Sequence, residues 1–153
     1  MKRARVRMLS VLGLGVVLLV TSLSGAGDSD LKILQQWKIL NSGVKGEKSK
    51  VILSTEEWEA EWKQAHSRSL PMPDVPKVDF RKQMVLAFHI GAKRTSGYAV
   101  EIRRVEKLQH GLKVHVREKK PNGDVVSPAL TAPSCFALIP KENTKVTFIR
   151  DRK

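Results

Sequence analysis

The chain has 153 residues, room for one domain. Its 28 Lys and Arg against 15 Asp and Glu give a formal net charge of +13, which favours anionic surfaces and carries no information about fold. A single cysteine, Cys135, excludes an intramolecular disulfide, so stability must come from a hydrophobic core.

Lys2, Arg3, Arg5 and Arg7 precede an apolar run from Met8 to Val20, and Ser24-Gly25-Ala26 then supplies small residues suited to cleavage after Ala26. Residues 1–26 are therefore expected to be a signal peptide, with the mature chain secreted or periplasmic. The alternative is an N-terminal membrane anchor, left in place if the segment is uncleaved. Against it, the run is glycine-broken and shorter than the roughly 20 apolar residues a span needs. Without cysteine after the run, a bacterial lipoprotein anchor has no attachment point. Cleavage would remove four of the 28 basic residues and none of the 15 acidic ones, leaving about +9.

Residues 27–30 read as a polar tether and 31–150 as the folded domain. Leu31, Ile33, Trp37 and Ile39 alternate as in a strand, although Ile33, Leu34 and Trp37 also fit a helical face. The turn residues Asn41-Ser42-Gly43 and Lys45-Gly46, followed by Lys50-Val51-Ile52-Leu53, favour a hairpin. A helix is expected from Ser54, which can cap it with Glu57 three residues on, to about His66; Trp58, Trp62 and Ala65 form its apolar stripe. Pro71, Pro73 and Pro76 make the next segment a loop. Met84 to Ile90 is a continuous apolar run, as in a strand covered on both faces, with the helix packed across it.

Tyr98–Lys107 and Leu112–Arg117 read as a second hairpin. Val105 breaks the alternation set by Val100 and Ile102, which a bulge near Arg103-Arg104 restores. Pro121-Asn122-Gly123-Asp124 is a turn, 125–132 is irregular, and Cys135–Ile139 and Lys145–Ile149 are two further strands. The fold class is thus α+β, a mostly antiparallel curled sheet or small two-sheet sandwich with one amphipathic helix packed on it.

Catalytic chemistry is hard to assemble. His66, His89, His110 and His115 lack metal-ligand spacing and no CxxC or HExxH occurs, so neither metal nor cofactor is expected. His89 reads as a satisfied core imidazole, His115 as solvated on a basic face, and Glu57 and Glu61 as a charged helix surface. Ser96, Thr131 and Ser134 have no identifiable base and no GxSxG elbow. Cys135, inside an apolar strand, reads as a buried hydrophobe. The chain is read as a binding module and not an enzyme.

The segment Gly91-Ala92-Lys93-Arg94-Thr95-Ser96-Gly97-Tyr98 is the best handle on function. Its glycines permit a sharp connection between paired strands. It is not a phosphate loop, because no Gly-Lys-Ser/Thr ending and no helix follow. Lys93, Arg94, Thr95 and Ser96 are expected to be exposed, with Gly97 as the turn and Tyr98 as the anchor. Thr131 and Pro133 belong to a second element before Cys135. Lys93 and Arg94, with Arg103 or Arg104, Lys113, Arg117, Lys119 and Lys120, can form a basic patch. With little aromatic material to stack bases, specific nucleic-acid binding is not expected.

Phe88 to Ile102 resembles the PrcB C-terminal-type domain, whose pattern is a strand, a Gly-x-x-x-x-Gly-Gly-Tyr-like loop and an alternating strand. Ser127 to Pro133 and Phe136 to Lys141 resemble that family's proline-bearing ending, and Glu57-Trp58-Glu59-Ala60-Glu61-Trp62 and Val78-Asp79-Phe80 also look familial, so the likeness extends over most of 31–150. Ser96 replaces the first glycine of the pair and Ser134-Cys135 replaces a tyrosine. The family takes its name from an accessory subunit of a secreted bacterial protease complex. The resemblance therefore implies an exported noncatalytic domain that helps assemble, stabilise or regulate a protease, with Lys93 to Tyr98, Thr131 and Pro133 as partner contacts. Two alternatives stand beside it. Thr95-Ser96-Gly97-Tyr98 is similar to the Thr-Thr-Gly-Tyr loop of chagasin-type cysteine-protease inhibitors, though no Arg-Pro-Trp loop follows. The basic face could instead hold an anionic envelope polymer.

Overall fold

The apolar run 84–90 lies at the centre of the molecule. In the computed structural model, which describes residues 29–122 and 127–151, it forms the middle of three layers. The strands are β1 (Ser29–Leu31), β2 (Gln35–Ile39), β3 (Glu47–Ile52), β4 (Gln83–Ile90), β5 (Ala99–Leu108), β6 (Gly111–Lys119), β7 (Ser134–Pro140) and β8 (Val146–Arg150), with one helix, α1 (Thr55–Ala65), between β3 and β4. One sheet has the order β1-β5-β6-β8 and the other β2-β7-β4-β3. All pairings are antiparallel except β6 with β8. The fold is an α+β two-sheet sandwich, not closed into a barrel, with the helix on its outer side.

Alternation along β4 and β7 produces the layering, because successive side chains in a strand point to opposite faces. Met84, Leu86, Phe88 and Ile90, with Cys135, Ala137 and Ile139, face the other sheet, where they meet Val100, Ile102, Val105, Leu112, Val114 and Val116. Val85, Ala87, Phe136 and Leu138 face the opposite way, toward Trp58, Trp62 and Ala65 of α1. Full burial of each large apolar side chain contributes about 1.5–3 kcal/mol.

The helix begins where its capping chemistry predicts. Ser54 Oγ accepts from the Glu57 N–H at 3.3 Å, and Glu57 Oε2 accepts from the Leu53 N–H at 3.3 Å, one residue earlier than in a standard capping box. The proline loop then covers the helix. The Trp58 indole N–H donates to the Pro76 carbonyl at 2.8 Å and that of Trp62 to the Pro73 carbonyl at 3.1 Å. Prolines cannot donate backbone hydrogen bonds, but their carbonyls satisfy the two buried indoles.

The expected bulge falls between Ile102 and Arg104, and β5–β6 is the expected hairpin. Three local expectations are corrected. The first hairpin does not form: β2 pairs with β7 and β3 with β4, at opposite edges of one sheet. Turn chemistry fixes a reversal of the chain, whereas longer-range burial of Trp37 and Ile52 against the helix decides which strands become neighbours. The expected strand over 31–40 is split, with β1 pairing β5 in one sheet and β2 lying in the other. Ser29 and Asp30 belong to β1, so the polar segment 27–30 is a strand from its third residue. The signal-peptide segment and the Gly123-Asp124 half of the predicted turn lie outside the described residues.

Candidate functional site

The loop 91–98 carries the chain from β4 to β5, which lie in different sheets and do not pair. It is a crossing between layers, not the sharp connection between paired strands expected. Its glycines have different tasks. Gly91 has φ +75°, and a Cβ there would stand 3.0 Å from the Glu47 N and the Lys45 O. Gly97 has φ +87°, and a Cβ would meet Pro121 Cβ at 2.8 Å. Both positions require positive φ and close backbone approach, conditions that favour glycine.

The loop is strapped along its length. The Ala92 N–H donates to the Lys45 carbonyl at 2.8 Å. Lys93 and Thr131 exchange backbone bonds of 2.7 and 2.9 Å, and Ser96 N–H donates to the Ser127 carbonyl at 3.0 Å. Thr131 Oγ1 donates to the Thr95 carbonyl at 3.1 Å. Thr131 and the loop are thus brought together. Arg94 is exposed, while Lys93, Thr95, Ser96 and Thr131 are half-buried. Lys93 Nζ lies 5.3 Å from the centre of the Tyr98 ring and 3.3 Å from Glu118 Oε1, and Tyr98 packs against the core as an anchor. Pro133 is buried and accepts from the Ile90 N–H at 3.1 Å. It supports the loop from behind and offers no contact surface, a correction to its expected role.

Behind Pro133 lies a polar chain that sequence reasoning missed. His89 Nδ1 is 2.7 Å from Ser134 Oγ, whose hydroxyl is 2.7 Å from Ser42 Oγ; the Val44 N–H donates to Ser42 Oγ at 3.1 Å. On the other ring nitrogen, His89 Nε2 is 3.2 Å from Glu61 Oε1, an ion-pair distance without good hydrogen-bond alignment. Both Glu61 oxygens accept from Lys48 Nζ at 2.9 Å. His89 beside Glu61, followed by Lys48, holds that carboxyl at about 2, against a burial effect that alone would raise it. Glu61 is therefore no surface residue; it sits about one turn from Trp58 and from Ala65, beside Trp62, on the buried stripe. The signal against a surface reading was its spacing of three from Trp58 and four from Ala65, which puts the carboxylate within the apolar face.

Ser134, His89 and Glu61 are the residue types of a hydrolytic relay, and Ser134 does have an imidazole beside it. All three are sealed, however, with relative exposures of 1%, 0% and 4%. A nucleophile needs a place beside it for the reacting atom, and the buried Ser134 hydroxyl offers none. His115 is also corrected: it is buried, with Glu106 Oε2 2.9 Å from Nε2 and Asp151 Oδ1 2.9 Å from Nδ1. These carboxylates occupy opposite edges of one ring, so they do not converge on a single ion. Among the described residues no group of three or more His, Cys, Asp or Glu is arranged to hold a metal. Cys135 is buried, which pushes its thiol up to about 11.

The basic patch is only partly free. Lys93 pairs with Glu118, Arg104 with Asp30 and Glu106, and Lys113 with Glu106. Arg94, Arg117, Lys119 and Lys120 form no ion pair among the described residues. A cleft of about 300 Å³ beside the loop is lined by Ser96, Gly97, Lys119, Lys120, Pro121 and Ser127.

No curated protein and no solved structure matches the chain. A family model described as PrcB C-terminal matches residues 84–140, a shorter stretch than the 31–150 likeness expected from the motifs. It runs from β4 through the loop, the β5–β6 hairpin and the strapping segment to the end of β7. Over residues 84–140 the chain is similar to the PrcB C-terminal family.

Proposed function

We propose that this is an exported, noncatalytic interaction domain that assists the assembly, stability or regulation of an extracytoplasmic protease. The match over 84–140 carries the reading, because it contains both the loop 91–98 and the segment that straps it. The docking face comprises Arg94 with the exposed parts of Lys93, Thr95 and Ser96; Gly97 and Tyr98 fix its shape, and Thr131 holds it from below. A loop held by backbone bonds along its length is preorganised, so binding costs it little conformational entropy. The sealed relay at Ser134 supports a noncatalytic role. Export is proposed from residues 1–26, which resemble a cleavable signal peptide.

The same strapping gives less support to inhibition, since a half-buried, sheet-crossing loop is a poor wedge for a protease cleft. The experiment is co-purification from the exported fraction of the native host. A larger protease should accompany the chain, and its active yield should fall when the chain is deleted. A protease of unchanged yield and no stable association would refute the reading.

A further inference from the structure

The two sheets do not close into a barrel, and the seam between β2 and β5 is one of the two places where they do not join. Among the described residues β1 pairs with β5 only at Val105, Glu106 and Lys107, so the earlier half of β5 has β6 on one side and no described strand on the other. The seam is plugged at two points. Gln36 Nε2 donates to the Ile102 carbonyl at 2.7 Å, and Lys38 Nζ meets Glu101 Oε2. Beyond these plugs it opens into a cleft of about 450 Å³ lined by Lys38, Ala99, Val100, Glu101, Arg117 and Lys119.

The direction of the backbone groups in this cleft follows from the register. In an antiparallel pair, residues alternate between those that exchange hydrogen bonds with the partner strand and those whose N–H and C=O point away. Ile102, opposite Val116, gives its carbonyl to Gln36 and is therefore of the second kind. Val100, opposite Glu118 and two residues earlier on the same side of the bulge, is of the same kind. Its N–H and C=O are directed to the cleft side of β5, where 3% of the residue is exposed, and they are the groups another strand would pair with.

We propose that this cleft binds an extended, acidic segment of a partner protein, which adds as a strand to the Ala99–Glu101 edge of β5. Main-chain bonds to Val100 supply the docking and the cationic rim supplies the selection. Among the described residues Glu101 is the one acid lining the cleft, and it is already engaged by Lys38, whereas Arg117 and Lys119 are exposed and form no ion pair. A second copy of the chain is a poor occupant, because a chain of net charge +13, or about +9 without residues 1–26, repels itself at a basic edge. The inference goes beyond the protease reading, since it requires a protein strand of stated chemistry and no particular enzyme.

The test titrates the purified full chain with a capped peptide alternating glutamate and valine. Two control peptides are used: one with glutamine for glutamate, and one with alternate peptide nitrogens methylated. The acidic peptide should bind and slow hydrogen exchange at the Val100 amide. The glutamine and methylated peptides should each bind about tenfold more weakly or worse, and the double substitution Arg117→Gln, Lys119→Gln should weaken the acidic peptide similarly. Equal binding of the methylated peptide would reduce the cleft to a generic anion surface and overturn the proposal. No binding of the acidic peptide, or occupation of the edge by a second copy in sedimentation, would also overturn it. The methylated control requires no protein variant, so a folding defect cannot mask the result.

Discussion

Replacing Glu61 by glutamine tests the buried polar chain most sharply. The folded carboxyl is held at about 2, against an ordinary value of 4.5. Between those values the unfolded chain binds more protons than the folded one, so stability rises with pH across the window. The contribution is fully present above the unfolded value and is lost as pH falls through 4.5 toward 2. A shift of that size corresponds to roughly 3 kcal/mol at neutral pH, a large share of a domain stability of about 5–15 kcal/mol. Glu61→Gln removes the charge but keeps the shape, and Lys48, whose side chain is 40% exposed, loses its charged acceptor but keeps contact with water, which costs about 1.5–3 kcal/mol. The assay is urea unfolding at a series of pH values, followed by the fluorescence of Trp37, Trp58 and Trp62, which cluster around the helix. Asp79, Glu101 and Glu106 also have lowered pKa values, but they are present in both proteins and cancel in the difference. That difference should be largest at neutral pH and shrink toward pH 2. Parallel curves separated by less than about 0.5 kcal/mol would refute the reasoning, because that is the ordinary scatter of independent sites.

Gly97→Ala should destabilise the chain by about 1–2 kcal/mol through left-handed strain, plus the clash with Pro121, and should weaken partner binding; urea unfolding and co-purification read both. Phe136→Ala should cost about 3–5 kcal/mol, since that ring meets Trp58, Trp62 and His89, and unfolding calorimetry measures it. The Cys135 thiol, buried and raised to about 11, should resist alkylation in the native chain and react only after unfolding; prompt native alkylation at neutral pH would contradict its burial.

Local chemistry was legible wherever neighbours in sequence decide the outcome. Ser54 and Glu57 located the helix start, Trp58, Trp62 and Ala65 its inner face, and the parity break at Val105 the bulge. Partnerships between distant segments were not legible. Nothing in residues 31–53 says that β2 and β3 take opposite edges of one sheet, because that choice depends on β7 arriving between β2 and β4. The same limit hid the polar chain: Ser42, Glu61, His89 and Ser134 lie on four separate segments and each looks ordinary alone. The loop was recognised by its glycines, but its crossing between sheets and the burial of Pro133 needed the third dimension.

The central claim is that the face around loop 91–98 docks an exported protease. The most direct measurement places a photo-crosslinking residue at the exposed Arg94 position and irradiates the exported fraction of the native host. The account predicts a covalent adduct with a protease from position 94, and none from the exposed Lys77 on the proline loop. Adducts of equal yield from both positions, or none with a protease at position 94, would contradict it.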